Sequence, residues 1–515
     1  MSTTRSSFKT VGLAALLAAA SAAFGGEYDI PVRPVGVDGQ VAWNAAATQF
    51  TYAPAFDFKA VGGAAKYRFE LADETKRTHR FEAERPTAAL SRIWGGIPPG
   101  KCALKVVGVA ADGRDLGVAG ARSFRKMAPF SPGKYPKAAM PYGEAAKKIL
   151  AYVFRRPYLQ HLLDNGRPDA GYPLNSYPSK MLSAQIFGVL HYAESNPRDR
   201  ERAHRIARLN ADWLIARAEP AGSPLEHFTL TYDGRGEAGN GYLGDKFDGQ
   251  HMLHYPAAAA QALLAVWRAT GETKYRDFAV KIADTFVRLQ GKDGTWWQKM
   301  DGKTGKPVCG NRLVPTRVIP MLEEVADVTG GKKYREAADK AFAYVENGPM
   351  KSWAWDAQFE DIQPVPPYAN LSKYGPCDTA IYLLKRFPGD KKRIAQAREM
   401  LRFSEDQFVV WEAPHAPTWT TPVVLEQYHC YLPIDESVAK LVSAYLALHK
   451  AEGDPVDLAK AKALGDAFTR VLLPDGRLRT YWNTASTTNE HEDWVNGQVA
   501  DAFALEELAE AVGEK

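Results

Sequence analysis

The chain lacks the cysteine content of a disulfide scaffold. Only 4 of its 515 residues are cysteine, so disulfides are excluded as the main source of its stability. Cys102, Cys309, Cys377 and Cys430 show no CxxC or similar ligand spacing, and the sequence therefore contains no zinc motif. We expect buried free thiols or one incidental bridge. No cofactor is predicted, and a structural or catalytic divalent metal is left open.

Strong net charge and long apolar runs are absent as well. Lys and Arg number 65 and Asp and Glu number 60, a net charge of +5. So mild a charge argues against a dedicated nucleic-acid partner and suits, weakly, an acidic substrate. No segment beyond the N-terminus is apolar enough to insert into a membrane. The oligomeric state is left open.

The first 26 residues read as an export signal. Arg5 and Lys9 precede a short apolar run at 11–20, and Ala20-Ser21-Ala22 fits a cleavage site. We therefore expect a secreted or periplasmic protein.

Two domains follow the signal. Residues 27–128 contain short alternating stretches such as Tyr67–Leu71, separated by turns, which predicts strands. The pattern resembles a fibronectin type III-like module, which implies a small β-sandwich. A proline- and lysine-containing linker is predicted at 129–141, and a helical domain at 142–515.

Prolines recur through the helical region at nearly constant spacing. Pro178, Pro256, Pro315, Pro376 and Pro433 are separated by 78, 59, 61 and 57 residues. Each precedes an apolar helical run, and proline is tolerated in the first turn of a helix because its missing N–H would be unpaired there. Trp494 lies 61 residues after the last proline and indicates a sixth start. The repeat predicts an array of helical hairpins.

The ends of this array predict its closure. The final helix is apolar on one face and has no partner after it, so it could pair with the first helix, near Tyr142. Six hairpins closed in a circle make an (α/α)6 toroid. An open solenoid is the alternative, although it would need polar caps. Loops between hairpins are long, which indicates function, and they contain most of the tryptophans and histidines.

A repeated sequence segment supports the hairpin array and is the basis of a family resemblance. Asp284–Leu289 followed by Asp293-Gly294 recurs as Asp466–Val471 followed by Asp475-Gly476, and aromatic residues follow both. With the signal and the strand module, this pattern resembles the six-hairpin carbohydrate-active enzymes, including toroid polysaccharide lyases and unsaturated glucuronyl hydrolases. The resemblance covers residues 142–515 and does not resolve one family.

The resemblance implies acid–base groups in the loops that precede the inner helices. Toroid lyases use tyrosine and histidine as acid and base, with a neutraliser for the uronate carboxylate. The catalytic candidates are Tyr428, His429, His254, Asn370 and His491. Their alternatives are packing for the tyrosine, loop anchoring or capping for the histidines, and a solvated turn around His491.

Aromatic and basic residues in the same loops are candidates for sugar binding, because aromatic faces stack on sugar rings and guanidinium clamps carboxylates. The substrate-binding candidates are Trp296, Trp297, His251, Tyr177, Arg312, Tyr368, Tyr431 and Trp482. Surface salt-bridging is the alternative for Arg312. Two histidines at 251 and 254 lack a third ligand, so a metal site there is weakly supported.

Three functions remain open at this level. The first is a secreted lyase that cleaves an acidic, uronate-containing glycan by β-elimination. A glycoside hydrolase with a carboxylic acid pair drawn from Glu360, Asp361, Asp435 or Glu492 is the second. The third is a non-catalytic glycan-binding protein.

Overall fold

The computed structural model describes residues 26–33, 44–239, 244–361, 365–413, 419–482 and 493–514. The expected export signal lies outside them, apart from Gly26. The chain divides into two compact units: residues 1–131 with 402–417, and residues 132–401 with 418–515. None of the described helices is long and apolar enough to cross a membrane.

The first unit contains the strands β1 (Gln49–Phe50), β2 (Ala55–Asp57), β3 (Lys66–Ala72), β4 (Thr78–Ala83), β5 (Thr87–Ala89), β6 (Gly100–Val109) and β7 (Asp115–Lys126). Five of them form one sheet in the order β1-β7-β6-β3-β4, and β2 and β5 form a separate antiparallel pair. The alternation seen in the sequence sets the register: Phe69 lies opposite Phe81 and Val106, and the two phenylalanine rings stack at 4.8 Å. The predicted strands are confirmed, and the fibronectin-like sandwich stays a prediction.

Residues 402–417 cluster with this first unit. The carboxylate of Asp406 accepts hydrogen bonds from the backbone N–H groups of Thr51, at 2.8 Å, and Tyr52, at 2.7 Å. The hydroxyl of Tyr52 donates to Glu405 at 3.0 Å. β10 (Val409–Val410) follows, and the short helices of this unit are Glu27–Asp29 and Ser91–Trp94.

The described residues contain twelve principal helices in two sets, all in the second unit except that the helix Lys391–Phe408 continues into the first unit from residue 402. Six inner helices span Pro178–Ser195, His254–Thr270, Val318–Thr329, Tyr374–Arg386, Asp435–Glu452 and Val495–Ala511. Six outer helices span Tyr142–Phe154, Arg200–Ala216, Thr273–Leu289, Lys332–Asn347, Lys391–Phe408 and Pro455–Val471. The shorter elements are Pro157–Asn165, Pro173–Ser176, Pro197–Asp199, Gly244–Phe247, Pro349–Ser352, β8 (Gln250–Met252), β9 (Lys299–Asp301), β11 (Val423–Gln427) and β12 (Cys430–Pro433).

The inner helices form a closed ring. The first inner helix packs on the second, the second on the third, the fourth on the fifth and the fifth on the sixth, and the last one packs against the first inner helix and against the outer helix Tyr142–Phe154. Between the third and fourth inner helices, the hydroxyl of Tyr382 donates to Glu323 at 2.9 Å. The prediction that the final helix pairs with the first and closes the ring is confirmed.

The proline series marks the beginnings of inner helices, as predicted. Pro178 is the first residue of its helix, and Pro256 and Pro376 are each the third residue of their helices. Pro315 lies three residues before the first residue of its helix, and Pro433 lies two residues before the first residue of its helix. Turns from inner to outer helices are short. Gly271 and two equivalent glycines cap the inner helices in the left-handed conformation, with φ of 75° at Gly271, which glycine adopts without steric cost. The long loops therefore gather where the inner helices begin.

Candidate functional site

A pocket rich in carboxyl groups lies at the N-terminal ends of the inner helices. We call it the carboxylate pocket, and its empty volume is about 590 Å³. Its principal side chains are Lys180, Glu360, Asp361, Glu426, Asp435, Glu436, Trp494 and Asn496. Lys180, Glu436 and Asn496 come from the first turns of three inner helices, Glu360 and Asp361 come from a long loop, and Glu426 lies in β11.

Glu360 is the buried anchor of this pocket. Its side chain is 1% exposed and lies 2.7 Å from the Lys180 ammonium, and the Tyr255 hydroxyl donates to its other oxygen. Burial acts to raise the pKa of Glu360, but the Lys180 charge and these hydrogen bonds hold the pKa below its ordinary value. The backbone carbonyl of Glu360 also accepts from Tyr232, at 2.6 Å, and Lys299, at 2.8 Å. Its loop is thus fixed from several sides.

Asp361 follows this anchor in the sequence and lines the pocket. The residue is exposed, but nearby protein atoms partly desolvate its carboxyl group. This partial desolvation, followed by the negative charge of Glu360, raises the pKa of Asp361 to about 6. Near neutral pH a fraction of Asp361 is therefore protonated and able to donate a proton.

Glu426 lines the pocket, and the nearby charge of Lys373 acts on its carboxyl group. Burial raises the pKa of Glu426, against the opposing charge of Lys373. Burial likewise lowers the pKa of Lys373 to about 7. The Lys373 ammonium donates to the Glu426 backbone carbonyl at 2.9 Å.

The pocket wall opposite these acids is aromatic and amide-bearing. The ring of Trp494 stacks on Tyr177 at 5.8 Å, and Lys180 lies 4.3 Å from its centroid. The amide of Asn496 donates to Glu436 at 2.7 Å. Tyr177, a predicted sugar contact, is 3% exposed and supports the Trp494 ring.

Two buried aspartates, one of which lines the pocket, face each other across adjacent inner helices. Asp435 and Asp501 are 1% and 0% exposed. Burial is the main cause that raises the pKa of each well above its usual value, and each carboxyl interacts with the other. Both oxygens of Asp501 lack any other partner among the described residues. Burial and this mutual contact therefore favour the protonated form of the pair.

Tyr428 and His429 occupy the tip of the β11–β12 hairpin. His429 is exposed, and its backbone N–H donates to the side chain of Asn370 at 2.8 Å. Tyr431 packs edge-on against Tyr428 at 6.0 Å. Neither Tyr428 nor His429 lines the carboxylate pocket, so their predicted catalytic roles stay predictions.

Asn370, the predicted neutraliser, is fully buried. Its amide N–H donates to Gln427 at 2.8 Å and its carbonyl oxygen accepts from the backbone of His429. Its geometry is that of a hairpin anchor. Tyr368 precedes it with a φ of 68°, and the Tyr368 hydroxyl donates to a backbone carbonyl at 2.8 Å.

The two predicted histidines before Pro256 have different surroundings. His251 is fully buried in β8, and its Nε2 lies 2.8 Å from Glu219. His254 begins an inner helix and lines a second, narrower cavity beside the carboxylate pocket. Burial, with the nearby charges of Arg317, Lys180 and Lys299, lowers the pKa of His254 well below its ordinary value. Its imidazole is neutral near neutral pH.

None of the eight predicted sugar contacts lines either cavity. Trp296 is 1% exposed and donates from its indole to the backbone of Phe286 at 2.8 Å, so it is a core residue. Arg312 stacks over Trp297 at 4.3 Å and pairs with Asp293. Trp482 is 3% exposed and packs edge-on against Phe468 at 5.0 Å.

Three expectations concern His491, the cysteines and a possible metal site. His491, with Glu492, lies outside the described residues. None of the four cysteines, all of which are described, forms a disulfide. Within the described ranges no group of three or more His, Cys, Asp or Glu side chains is arranged so that it could hold a metal ion.

Lys180, Glu436 and Arg317 are cavity residues that the loop pattern of the sequence did not predict. Lys180 is the third residue of its inner helix, Glu436 is the second residue of its helix, and Arg317 is the N-cap of its helix. The proline series marks these helix starts in the sequence, so the first turn of each inner helix is the signal that points to such residues.

Comparisons with known proteins show likeness of fold. No protein-family model matches the chain, and no curated protein matches it. Cellobiose 2-epimerase from Spirochaeta thermophila aligns with 73% of this chain and 100% of its own, with 12% identity and a TM-score of 0.54. D-mannose isomerase aligns with 72% and 97% of the two chains, with 14% identity and a TM-score of 0.54. A family 76 glycoside hydrolase from a bovine Bacteroides thetaiotaomicron strain aligns with 93% and 99%, with 11% identity and a TM-score of 0.48. The resemblance to six-hairpin toroid carbohydrate-active enzymes is confirmed as one of fold, with the family unresolved.

Proposed function

We propose that this protein is a glycan-processing enzyme that hydrolyses glycosidic bonds in the carboxylate pocket. The observation that carries the proposal is the meeting of Asp361 and Glu436 in one cavity walled by Trp494. A carboxylic acid and a carboxylate flanking the scissile bond are the standard requirement of glycoside hydrolysis. The two solved structures with TM-scores of 0.54 are named for enzymes of sugars, which supports a sugar substrate.

In this proposal Asp361 is the acid. Its protonated carboxyl donates to the leaving glycosidic oxygen as the bond from that oxygen to the anomeric carbon breaks. Glu436 lies in the first turn of its helix, where the positive end of the helix dipole favours a carboxylate. It takes the proton of the water whose oxygen bonds to the anomeric carbon. Lys180 and Glu360 position Asp361 and take no proton in this scheme.

β-Elimination of an acidic glycan is the second candidate. The observation that favours it is the neutral imidazole of His254 at the cavity beside the carboxylate pocket, since a neutral imidazole can act as a base. Secretion or a periplasmic location is proposed on the export signal alone. A non-catalytic glycan-binding protein would need neither Asp361 nor Glu436.

The test is a panel of neutral and uronate polysaccharides assayed for new reducing ends and for the ultraviolet absorbance of an unsaturated uronate. Reducing ends without that absorbance support hydrolysis, and unsaturated products establish elimination in its place. We expect Asp361→Asn to lower kcat by roughly 10²- to 10⁴-fold. The control Asp277→Asn changes an exposed outer-helix residue and should keep full activity. Full activity in Asp361→Asn would overturn the assignment.

A further inference from the structure

A depression at the end of the outer helix Arg200–Ala216 is larger than the carboxylate pocket. We call it the rim groove. It has two parts, with empty volumes of about 1450 Å³ and 1010 Å³, which meet at Trp213, Ala216, Arg217 and Glu237. Because the turns from inner to outer helices are short, each outer helix ends on the face where the inner helices begin. The rim groove therefore opens on the same face as the carboxylate pocket.

One face of the outer helix supplies the apolar part of the groove. Leu209, Trp213 and Ala216 recur at helical spacing, which places them on one side of the helix, and all three line the groove. Trp213 is 8% exposed. An apolar strip of this kind between polar walls matches a sugar ring, which has apolar C–H faces and hydroxyl edges.

Charged side chains line the rest of the groove, and acids outnumber bases there. Four lysine or arginine side chains face six carboxylates, which are Asp169, Asp212, Glu219, Asp233, Glu237 and Asp248. An excess of carboxylates repels a polyanion, even though the chain as a whole carries a net charge of +5. The groove therefore favours a neutral glycan over an acidic one.

Charged groups where the two parts of the groove meet are paired with each other. Arg217 and Glu237 form an ion pair at 2.7 Å, with side chains 49% and 35% exposed. Asp212 is likewise 2.8 Å from the ammonium of Lys274. An exposed pair keeps further N–H groups and lone pairs facing solvent. A sugar hydroxyl can bond both kinds of group, because a hydroxyl donates and accepts.

The groove also touches the loop that carries the proposed acid. Tyr232 lines the groove, and its hydroxyl donates to the backbone carbonyl of Glu360 at 2.6 Å. Lys299 donates to the same carbonyl and lies 5.5 Å from the centroid of the Tyr232 ring. Asp361, the next residue along the loop, lines the carboxylate pocket. At this point Tyr232 and Glu360 separate the groove from the proposed chemistry.

We propose that the rim groove is a second glycan-binding site, which holds a neutral glycan chain while another part of that chain is cleaved in the carboxylate pocket. The inference rests on the proposed function, since it takes the ligand to be the substrate. Pockets for small molecules measure roughly 300–1,000 Å³, so the larger groove suits a chain of sugars. None of the eight sugar contacts expected from the sequence lines it.

The test is calorimetric titration of the full chain. Cellohexaose, mannohexaose and xylohexaose are the neutral probes and hexagalacturonate is the acidic probe, with Asp361→Asn as the background so that no probe is cleaved. The double variant Arg217→Ala with Glu237→Ala removes the exposed pair without changing the net charge. We expect it to weaken binding of the tightest neutral probe about tenfold, the loss of one or two hydrogen bonds.

The matched control is the double variant Arg268→Ala with Glu324→Ala. It removes another exposed pair, with side chains 51% and 21% exposed. Arg268 lies near the end of an inner helix, on the face opposite the groove, so the control should keep the full affinity. If the Arg217 and Glu237 variant does not fold, Trp213→Phe serves in its place, because it keeps an apolar ring and reduces the apolar surface. It should weaken binding severalfold.

Three results would each overturn the proposal. They are no binding of any neutral hexasaccharide, tighter binding of hexagalacturonate than of every neutral probe, and unchanged affinity in the folded groove variant. Failure of the proposed function gives a different result. Neutral binding that depends on Arg217 and Glu237, without reducing ends from any polysaccharide in the wild type, would refute hydrolysis alone. Reducing ends from neutral polysaccharides with full affinity in the groove variant would refute the groove alone.

Discussion

Lys180 and Glu360 form an ion pair across 2.7 Å with side chains 15% and 1% exposed. The pair ties the first turn of one inner helix to the loop that carries Asp361. Removing one partner of a buried pair leaves an uncompensated charge, which is far more costly than losing an exposed pair.

We therefore expect Lys180→Met to lower the free energy of unfolding by about 3–5 kcal/mol. Chemical denaturation measures this, with Lys148→Met as control, because Lys148 and Glu144 form an exposed pair that should contribute about 0–1 kcal/mol. The folded-state pKa of Glu360 is depressed, so the stabilisation is present above the unfolded pKa. It should be lost as the pH falls below the ordinary value of 4.5. Equal effects of the two variants would contradict this account.

The pKa of Asp361 sets the expected pH dependence of hydrolysis. The acid must be protonated, so kcat/KM should fall as the pH rises through about 6. Glu360→Gln removes the neighbouring negative charge that helps to raise this pKa, so the alkaline limb should move to lower pH. If the alkaline limb of the kcat/KM profile does not move in a folded Glu360→Gln variant, Asp361 is not the acid.

The Asp435–Asp501 pair predicts a second pH effect, on stability. Both folded-state pKa values are raised above 3.8, so the folded chain binds more protons than the unfolded chain between the two pKa values. Stability should decline as the pH rises from 3.8 towards neutral. Asp501→Asn should be more stable than the wild type at neutral pH by roughly 1–3 kcal/mol, and less dependent on pH. Denaturation across this range checks both, and a destabilised Asp501→Asn would contradict this account of the pair.

Substitutions at the tip of the β11–β12 hairpin distinguish the hydrolysis proposal from the elimination hypothesis. Because His429 is exposed and is held through its backbone by Asn370, we expect His429→Ala to lose less than about tenfold in turnover. The sequence-based hypothesis assigns it an acid–base role, whose removal would cost about 10²-fold or more. Initial rates of His429→Ala and Tyr428→Phe on the active polysaccharide decide between the two.

The ring of helices was predictable because proline and glycine act locally. Pro178 and Pro376 lie in first turns, and Gly271 ends an inner helix, so each mark reflects a backbone rule that needs no tertiary contact. Pairing of the last inner helix with Tyr142–Phe154 followed from its apolar face. The alternation of apolar and polar residues around Phe69 is also a local pattern, so the strand there was predictable from the sequence.

The site was only partly predictable, since it depends on contacts between distant loops. Glu360 and Lys180 are 180 residues apart, and no local pattern pairs them. The loop positions of Trp296 and Trp482 predicted contact with a sugar, but both side chains are buried. Aromatic residues in loops of a toroid can fill the space between helix ends as readily as they can meet a sugar.

Ring closure makes the two ends of the second unit neighbours in space. The backbone N–H of Gly143 donates to the side chain of Glu514 at 3.1 Å, and the inner helix Val495–Ala511 packs on the outer helix Tyr142–Phe154. On a ribosome, the first outer helix emerges more than three hundred residues before its partner. The last hairpin of the ring therefore cannot assemble until that final helix has been synthesised, and the N-terminal part of the ring waits with an apolar flank uncovered.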